Sequence, residues 1–218
     1  MSVPELFAAI RAGDGDRVRE LVEARPELAA ARDDEGRSVV LEALCHVQGD
    51  LVDVLLDTNP SLDVFDAAAV GRTRGLEELV AAEPELVGSF ARDGFTPLHL
   101  AAFFGQDDAA RLLLEHGADA NVVARNESLR VTPLHSAAAG GHAAIVRRLL
   151  EAGADADARQ PGGFTPLHSA AQNGDRESAE ALLERGAEPA AVTDEGKTPA
   201  ELAAAAGHDD LVTLLSDR

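Results

Sequence analysis

The amino-acid sequence predicts an all-α solenoid of about seven helix pairs joined by short projecting β-hairpin loops. Three observations carry that prediction. A four-residue motif recurs as Thr96-Pro97-Leu98-His99, Thr132-Pro133-Leu134-His135, Thr165-Pro166-Leu167-His168 and a weakened Thr198-Pro199-Ala200-Glu201, at steps of 36, 33 and 33 residues. Each copy is followed at one fixed offset by an alanine pair and a turn glycine, Gly105, Gly141, Gly174 or Gly207. A leucine cluster then closes each unit: Leu112-Leu113-Leu114, Leu149-Leu150, Leu182-Leu183 and Leu214-Leu215. A fixed period of this length marks stacked supersecondary units, each burying its apolar face only against its neighbours.

Each element of the unit has a physical reason. The motif threonine caps the first helix through its hydroxyl, and proline fits the first helical position, whose N–H has no intrahelical partner. The alanine pair is small enough to let neighbouring helices approach closely. Gly117, Gly153 and Gly186 suit the left-handed residue that ends the second helix. Asp93-Gly94, Gly162-Gly163 and Glu195-Gly196 suit a tight chain reversal before the next threonine.

With its four-residue motif, its 33-residue period and the Gly-Ala-Asp that follows the second helix (Gly117-Ala118-Asp119, Gly153-Ala154-Asp155), the chain resembles ankyrin repeats. The match is specific from about Gly94 to Ala204. The first 90 residues align when the motif leucine is placed at Leu6, Val40 and Val64 ahead of Leu98. Leu6-Phe7-Ala8-Ala9 through Arg25-Pro26-Glu27-Leu28 then matches Val64-Phe65-Asp66-Ala67 through Glu83-Pro84-Glu85-Leu86 without a gap. Helix pairs are expected near residues 4, 38, 62, 96, 132, 165 and 198.

Two irregularities follow from the spacing. Val40 to Val64 is only 24 residues, so one hairpin is missing and Leu62-Asp63 should pass directly into the next helix. Three extra residues between Leu98 and Leu134 lengthen the connection Val122 to Val131. Insertions in such arrays lie on loops, often on the binding face. The reading is one domain over 1–218, with degenerate repeats at 1–93, regular repeats at 94–197 and a C-terminal capping repeat at 198–218. In that cap Ala200 and Glu201 replace the motif Leu and His, while Asp209, Asp210, Ser216, Asp217 and Arg218 keep the last helix wet. Both ends therefore read as caps of a complete array.

Composition narrows the function classes. The 218 residues are 45% hydrophobic, enough for a folded core rather than a disordered chain. Cys45 is the only cysteine, which excludes an intramolecular disulfide or a Cys-based zinc site and points to a reducing compartment. Met1-Ser2-Val3-Pro4-Glu5 has no basic patch before an apolar run, and no uncharged run approaches the roughly 18 residues that span a bilayer. A cytoplasmic location is the expectation. A net charge of -20 repels phosphates and anionic lipid, so neither nucleic acid nor membrane is expected as a partner. Cations are almost all arginine, with Lys197 the single lysine, a bias that carries no function by itself.

Several constellations imitate chemistry without supporting it. His99, His135 and His168 lie one repeat apart, and stacked helices are roughly 8 to 10 Å from one another. A shared zinc needs nitrogens about 2 Å from the metal, so each histidine is instead expected to hydrogen-bond the neighbouring loop. Cys45 and His46, like Ser136 and Ser169 beside their motif histidines, are adjacent helical positions that diverge by about 100° and cannot act as nucleophile and base. Cys45 is expected to be buried or half-buried. Asp107-Asp108, Glu77-Glu78 and Asp209-Asp210 read as solvated helix surface. Gly13-Asp14-Gly15 lacks the context of a phosphate loop.

Binding residues are better indicated. The family resemblance implies that partners are gripped by hairpin tips and, on the concave side, by the two first-helix positions between the alanine pair and the turn glycine. Here those are Arg11 and Ala12, Ala69 and Val70, Phe103 and Phe104, Ala139 and Gly140, Gln172 and Asn173, and Ala205 and Ala206. Cys45-His46 departs from the pattern, with Val47 where glycine is expected. Phe103 and Phe104 cannot both face the core, so at least one should be exposed. Phe95 and Phe164, just before the motif threonines, should flank them, with Val131 between, giving an apolar patch of the kind that marks binding sites. Arg32, Arg92, Arg125 and Arg159 each follow an alanine at the start of a hairpin, where they form either a short basic row or surface ion pairs.

The candidate partner-binding set is thus Arg92, Phe95, Phe103, Phe104, Arg125, Arg130, Val131, Arg159, Phe164, Gln172 and Asn173. The expected function is a non-catalytic protein-interaction module with no cofactor or metal, monomeric rather than homo-oligomeric. The alternatives are a self-associating scaffold and an inhibitor or accessory subunit of an enzyme. Unequal repeats argue against an engineered consensus binder. The repeats from Thr96 onward should resist local opening best, and the junction at Leu62-Asp63 least.

Overall fold

The structure, a computed structural model, describes residues 2–46, 49–126 and 128–216. Val47, Glu127 in the long connection, and Asp217 and Arg218 in the C-terminal cap lie outside the described residues, so the readings made on them rest on sequence alone. Fourteen α-helices follow in pairs among the described residues: α1 (Val3–Ala12) and α2 (Gly15–Ala24), α3 (Val39–Cys45) and α4 (Gly49–Asp57), α5 (Val64–Ala69) and α6 (Thr73–Ala82), α7 (Pro97–Phe103) and α8 (Asp107–Glu115). The last three pairs are α9 (Pro133–Gly140) and α10 (Ala143–Glu151), α11 (Pro166–Asn173) and α12 (Arg176–Glu184), α13 (Pro199–Ala206) and α14 (Asp209–Ser216). Every first helix starts within two residues of its predicted place. The gapless alignment of residues 25–28 with 83–86 is mirrored by two 3-10 turns, Pro26–Ala30 and Pro84–Gly88.

The chain divides into two compact units, Met1–Asp66 and Ala67–Arg218. In the first, α1 packs on α3 and α2 on α4 around Leu6, Ile10, Leu21, Leu28 and Leu55. Its hairpin closes with an Arg32–Ser38 antiparallel bridge and an Asp33 N–H donated to the Arg37 carbonyl. After α4 there is no hairpin, and Leu62-Asp63 leads straight into α5 as the spacing predicts. The Asp63 carboxylate accepts the backbone N–H groups of Phe65 and Asp66 at 3.0 and 2.9 Å, satisfying donors that a helix start leaves open.

In the second unit the first helices stack in the order α7, α9, α11, α13, and the second helices in the order α8, α10, α12, with α6 against α8. The alanine pairs Ala101-Ala102, Ala137-Ala138 and Ala170-Ala171 are wholly buried between first helices. Leu98, Leu113, Leu134, Ile145, Leu149 and Leu167 fill the layer between the two rows, each worth about 1.5–3 kcal/mol in burial. The hairpin loops are closed by single backbone bonds, Ala91 to Phe95, Gln160 to Phe164 and Thr193 to Lys197, and among the described residues none extends into a strand ladder. The long finger begins with Ala124 donating to Val131 and is tied to the preceding hairpin by Arg125 N–H on the Gly94 carbonyl at 2.8 Å. Gly94 sits at φ +88°, and a Cβ there would lie 2.4 Å from the Asn126 nitrogen, so this close approach requires glycine.

Candidate functional site

The motif histidines set the geometry on which any binding surface stands. In each regular repeat the threonine N–H donates to the histidine Nδ1, at 3.3, 3.3 and 3.1 Å for Thr96, Thr132 and Thr165, and the threonine hydroxyl meets the same nitrogen at 2.8 to 2.9 Å. The Nε2 of His99, His135 and His168 reaches the carbonyl of Val131, Phe164 and Lys197 on the next hairpin. With Nδ1 accepting, Nε2 carries the proton, and each neutral ring joins its own helix start to the following loop. Burial lowers the pKa of His99 and His135 to about 4 and also depresses that of His168. The predicted loop-bonding role therefore holds. Among the described residues no group of three His, Cys, Asp or Glu is placed to hold a metal ion.

At the far ends of the first helices, Phe103 is 46% exposed and its ring meets that of half-buried Phe104 edge-on at 5.2 Å. Next to it, α9 ends in Ala139 and Gly140. A Cβ on Gly140 would lie 2.5 Å from the Phe103 carbonyl oxygen, so the two helix ends approach as closely as backbone allows. His142 Nε2 meets the same carbonyl at 3.0 Å. From the other side Asn173 donates to the carbonyls of Ala138 and Ala139 at 3.1 and 2.9 Å. An aromatic ring thus stands beside Ala139 and Gly140, with the His142 imidazole packed against Gly140 and exposed Gln172 and Asn173 opposite.

The remaining candidates are dispersed. Phe95 and Phe164 are half-buried, each with its ring against the histidine of its own repeat, His99 at 5.8 Å and His168 at 5.6 Å. Val131 lies in the hairpin row between them, and among the described residues no ring contact joins Phe95 or Phe164 to the Phe103–Phe104 pair. Arg92 and Arg130 are exposed. Arg125 stacks on Phe90 at 3.8 Å, Arg159 donates to the Val192 carbonyl, and Arg32 is held by Asp63 and Asp66 at 2.7 and 2.6 Å.

Two expectations are corrected. Cys45 is exposed, because the turns of α3 that face the core are filled by Val39, Val40 and Ala43 and its last residue points away. Ala69, assigned to the displayed face by its repeat position, is wholly buried, since the short α5 turns all of Ala67, Ala68 and Ala69 inward. Exposed Val123, Leu129 and Val192 were missed. Leu129 is the most exposed at 51%, on the tip of the long finger, where the Asn126 side chain accepts the Ser128 and Leu129 N–H groups and turns the chain outward. The three-residue insertion was the available signal for it.

Ankyrin-repeat family profiles match residues 93–127, 123–193 and 160–218, together more than half of the chain. The chain belongs to the ankyrin-repeat family. Ankyrin repeats generally mediate protein–protein interaction. Over 78 residues this ankyrin chain is also 37% identical to the human DNA-binding protein RFXANK, a stretch that covers 36% of this chain and 30% of that relative. The alignment thus spans less than a third of the relative's length. Among the described residues no helix is long and apolar enough to cross a membrane.

Proposed function

We propose that this chain is a non-catalytic binding module that holds a partner protein on the first-helix ends and hairpin tips of its second unit, with Phe103 as the central anchor. The observation that carries the reading is a large aromatic ring left half exposed beside Ala139 and Gly140, while the alanine pairs of α7, α9 and α11 are buried. Exposed aromatics at the centre of a docking surface carry most of its energy. The relative's name does not bring DNA to this chain, since a net charge of -20 opposes contact with phosphates. The same charge disfavours self-association. No cofactor takes part, and the cytoplasm is the proposed location.

The test is affinity purification from native lysate with wild type beside Phe103→Asp/Phe104→Asp, both verified as folded by circular dichroism. A stoichiometric protein retained by wild type is expected to lose at least thirtyfold in affinity with the variant, corresponding to about 2 kcal/mol at a hot spot. Equal retention would move the site to the hairpins. Mass that grows with concentration in light scattering would favour the scaffold reading instead.

A further inference from the structure

We infer that Asn173-Gly174 is a self-modifying site, guarded by the fold, whose conversion to aspartate or isoaspartate unties the C-terminal end of α9 beside Phe103. The inference stands independently of the docking reading. Four asparagines occur in the chain, and Asn173 is the one followed by glycine; Asn59 precedes Pro60, Asn121 precedes Val122 and Asn126 precedes Glu127. A backbone nitrogen attacks the side-chain carbon of the preceding asparagine most readily where it carries little bulk, and glycine has no Cβ to obstruct the approach. Proline has no N–H to give up. Asn173 is also exposed, as the last residue of α11, so water and hydroxide reach it. Helix ends open at a lower free energy than helix interiors.

The reaction needs only water and hydroxide. Gly174 gives its amide proton to hydroxide and its nitrogen bonds to Asn173 Cγ; the Cγ–Nδ2 bond breaks, and the side-chain nitrogen leaves as ammonia after taking a proton from water. Water then opens the succinimide ring at either carbonyl, leaving aspartate or isoaspartate. In the fold three hydrogen bonds oppose the attack. The Gly174 N–H donates to the Ala171 carbonyl at 3.3 Å, and Asn173 Nδ2 donates to the carbonyls of Ala138 and Ala139 at 3.1 and 2.9 Å. The last two also make the change one-way in effect. Ala138 and Ala139 lie in the last turn of α9, whose carbonyls outrun the donors of their own helix. A carboxylate has no proton to donate and is repelled by both oxygens, so the modified chain cannot remake the tie.

The full chain held at pH 8 and 37 °C, folded and in guanidinium chloride, tests this by peptide mass spectrometry with fragmentation that distinguishes isoaspartyl linkages. Conversion is expected at Asn173 and not at Asn59, Asn121 or Asn126, roughly tenfold to hundredfold slower in the folded chain than in the denatured one. Asn173→Asp reproduces one product. In wild type the Gly141 and His142 amides donate to the Ala138 and Ala137 carbonyls at 3.3 and 3.0 Å, closing the end of α9. In the variant these two amides should exchange hydrogen at least tenfold faster, with those of α1 unchanged. Equal conversion rates in the folded and denatured chains would show that the three bonds guard nothing. No conversion in the folded chain after about a hundred half-lives of the denatured control would show that the end of α11 stays shut, and either result overturns the site. Wild-type exchange at Gly141 and His142 in Asn173→Asp would overturn the untying.

Discussion

The first and second units hold their first helices in place with opposite chemistries. In the second unit the fastening is neutral: threonine, an imidazole protonated on Nε2, and a carbonyl from the next hairpin, three times over. In the first unit it is ionic. Arg11 bonds to buried Glu42. Arg32 reaches the Gly36 carbonyl, Asp63 and Asp66 together, and Ser38 both caps α3 and donates its hydroxyl to Asp66. The same architectural task has two solutions because all it requires is that buried polar groups at a helix start find partners. Where the hairpin is missing before α5, a neighbouring carbonyl is missing too, and carboxylates with an arginine take its place.

The largest expected consequence is a pH response of opposite sign. Unfolded histidine takes up a proton near pH 6.5, but His99 and His135 resist to about 4 in the fold, so the unfolded state binds more protons between those values. Stability of the second unit is complete above pH 6.5 and falls as pH drops, by roughly 3 kcal/mol for each of these two buried rings at pH 4. Asp66 runs the other way. Burial and the adjacent Asp63 charge push it up to about 6, from an ordinary 3.8, against the pull of Ser38 and Arg32. Its contribution is complete below 3.8 and is lost as pH rises through 6. Urea unfolding followed by amide NMR at pH 7 and pH 4.5 should show the second unit weakened by acid and the Asp66 region strengthened relative to it. Parallel loss in both units would break the comparison.

Next in size is Arg32→Ala, which leaves the Asp66 carboxylate buried beside Asp63 with its cation removed. A loss of about 3 kcal/mol is expected, confined to the first unit and partly recovered in Arg32→Ala/Asp66→Asn. Urea midpoints measured separately for the two units would check it, and a loss shared by both would show that the bracket is not local. The smallest effects contrast two glycines. Gly140→Ala forces a Cβ onto the Phe103 carbonyl and should cost about 1–3 kcal/mol. Gly75→Ala in α6 meets nothing within 4 Å and should stabilise by about 0.5–1 kcal/mol, read as melting temperatures in opposite directions.

Periodicity carried most of the architecture. Helix pairs, the missing hairpin before Val64, the long finger and the loop-bonding of His99, His135 and His168 were legible because each follows from spacing and from the local demands of caps and turns. The site was legible only in part. That Phe103 and Phe104 could not both be buried follows from helix geometry alone, and Phe103 is indeed the exposed one. Ala69 and Cys45 were misplaced because repeat position does not report how far a short or irregular helix is rotated.

By itself, then, the sequence determined the repeat, its period and its breaks, because those are set by residues near one another along the chain. Tertiary structure alone decided that Arg32 would meet two aspartates, that Arg125 would stack on Phe90, and that Asn173 would reach back to Ala138 and Ala139. Those contacts join residues about one repeat apart. Which side chains meet across that distance depends on the angle and closeness of stacked helices, quantities that no local pattern encodes.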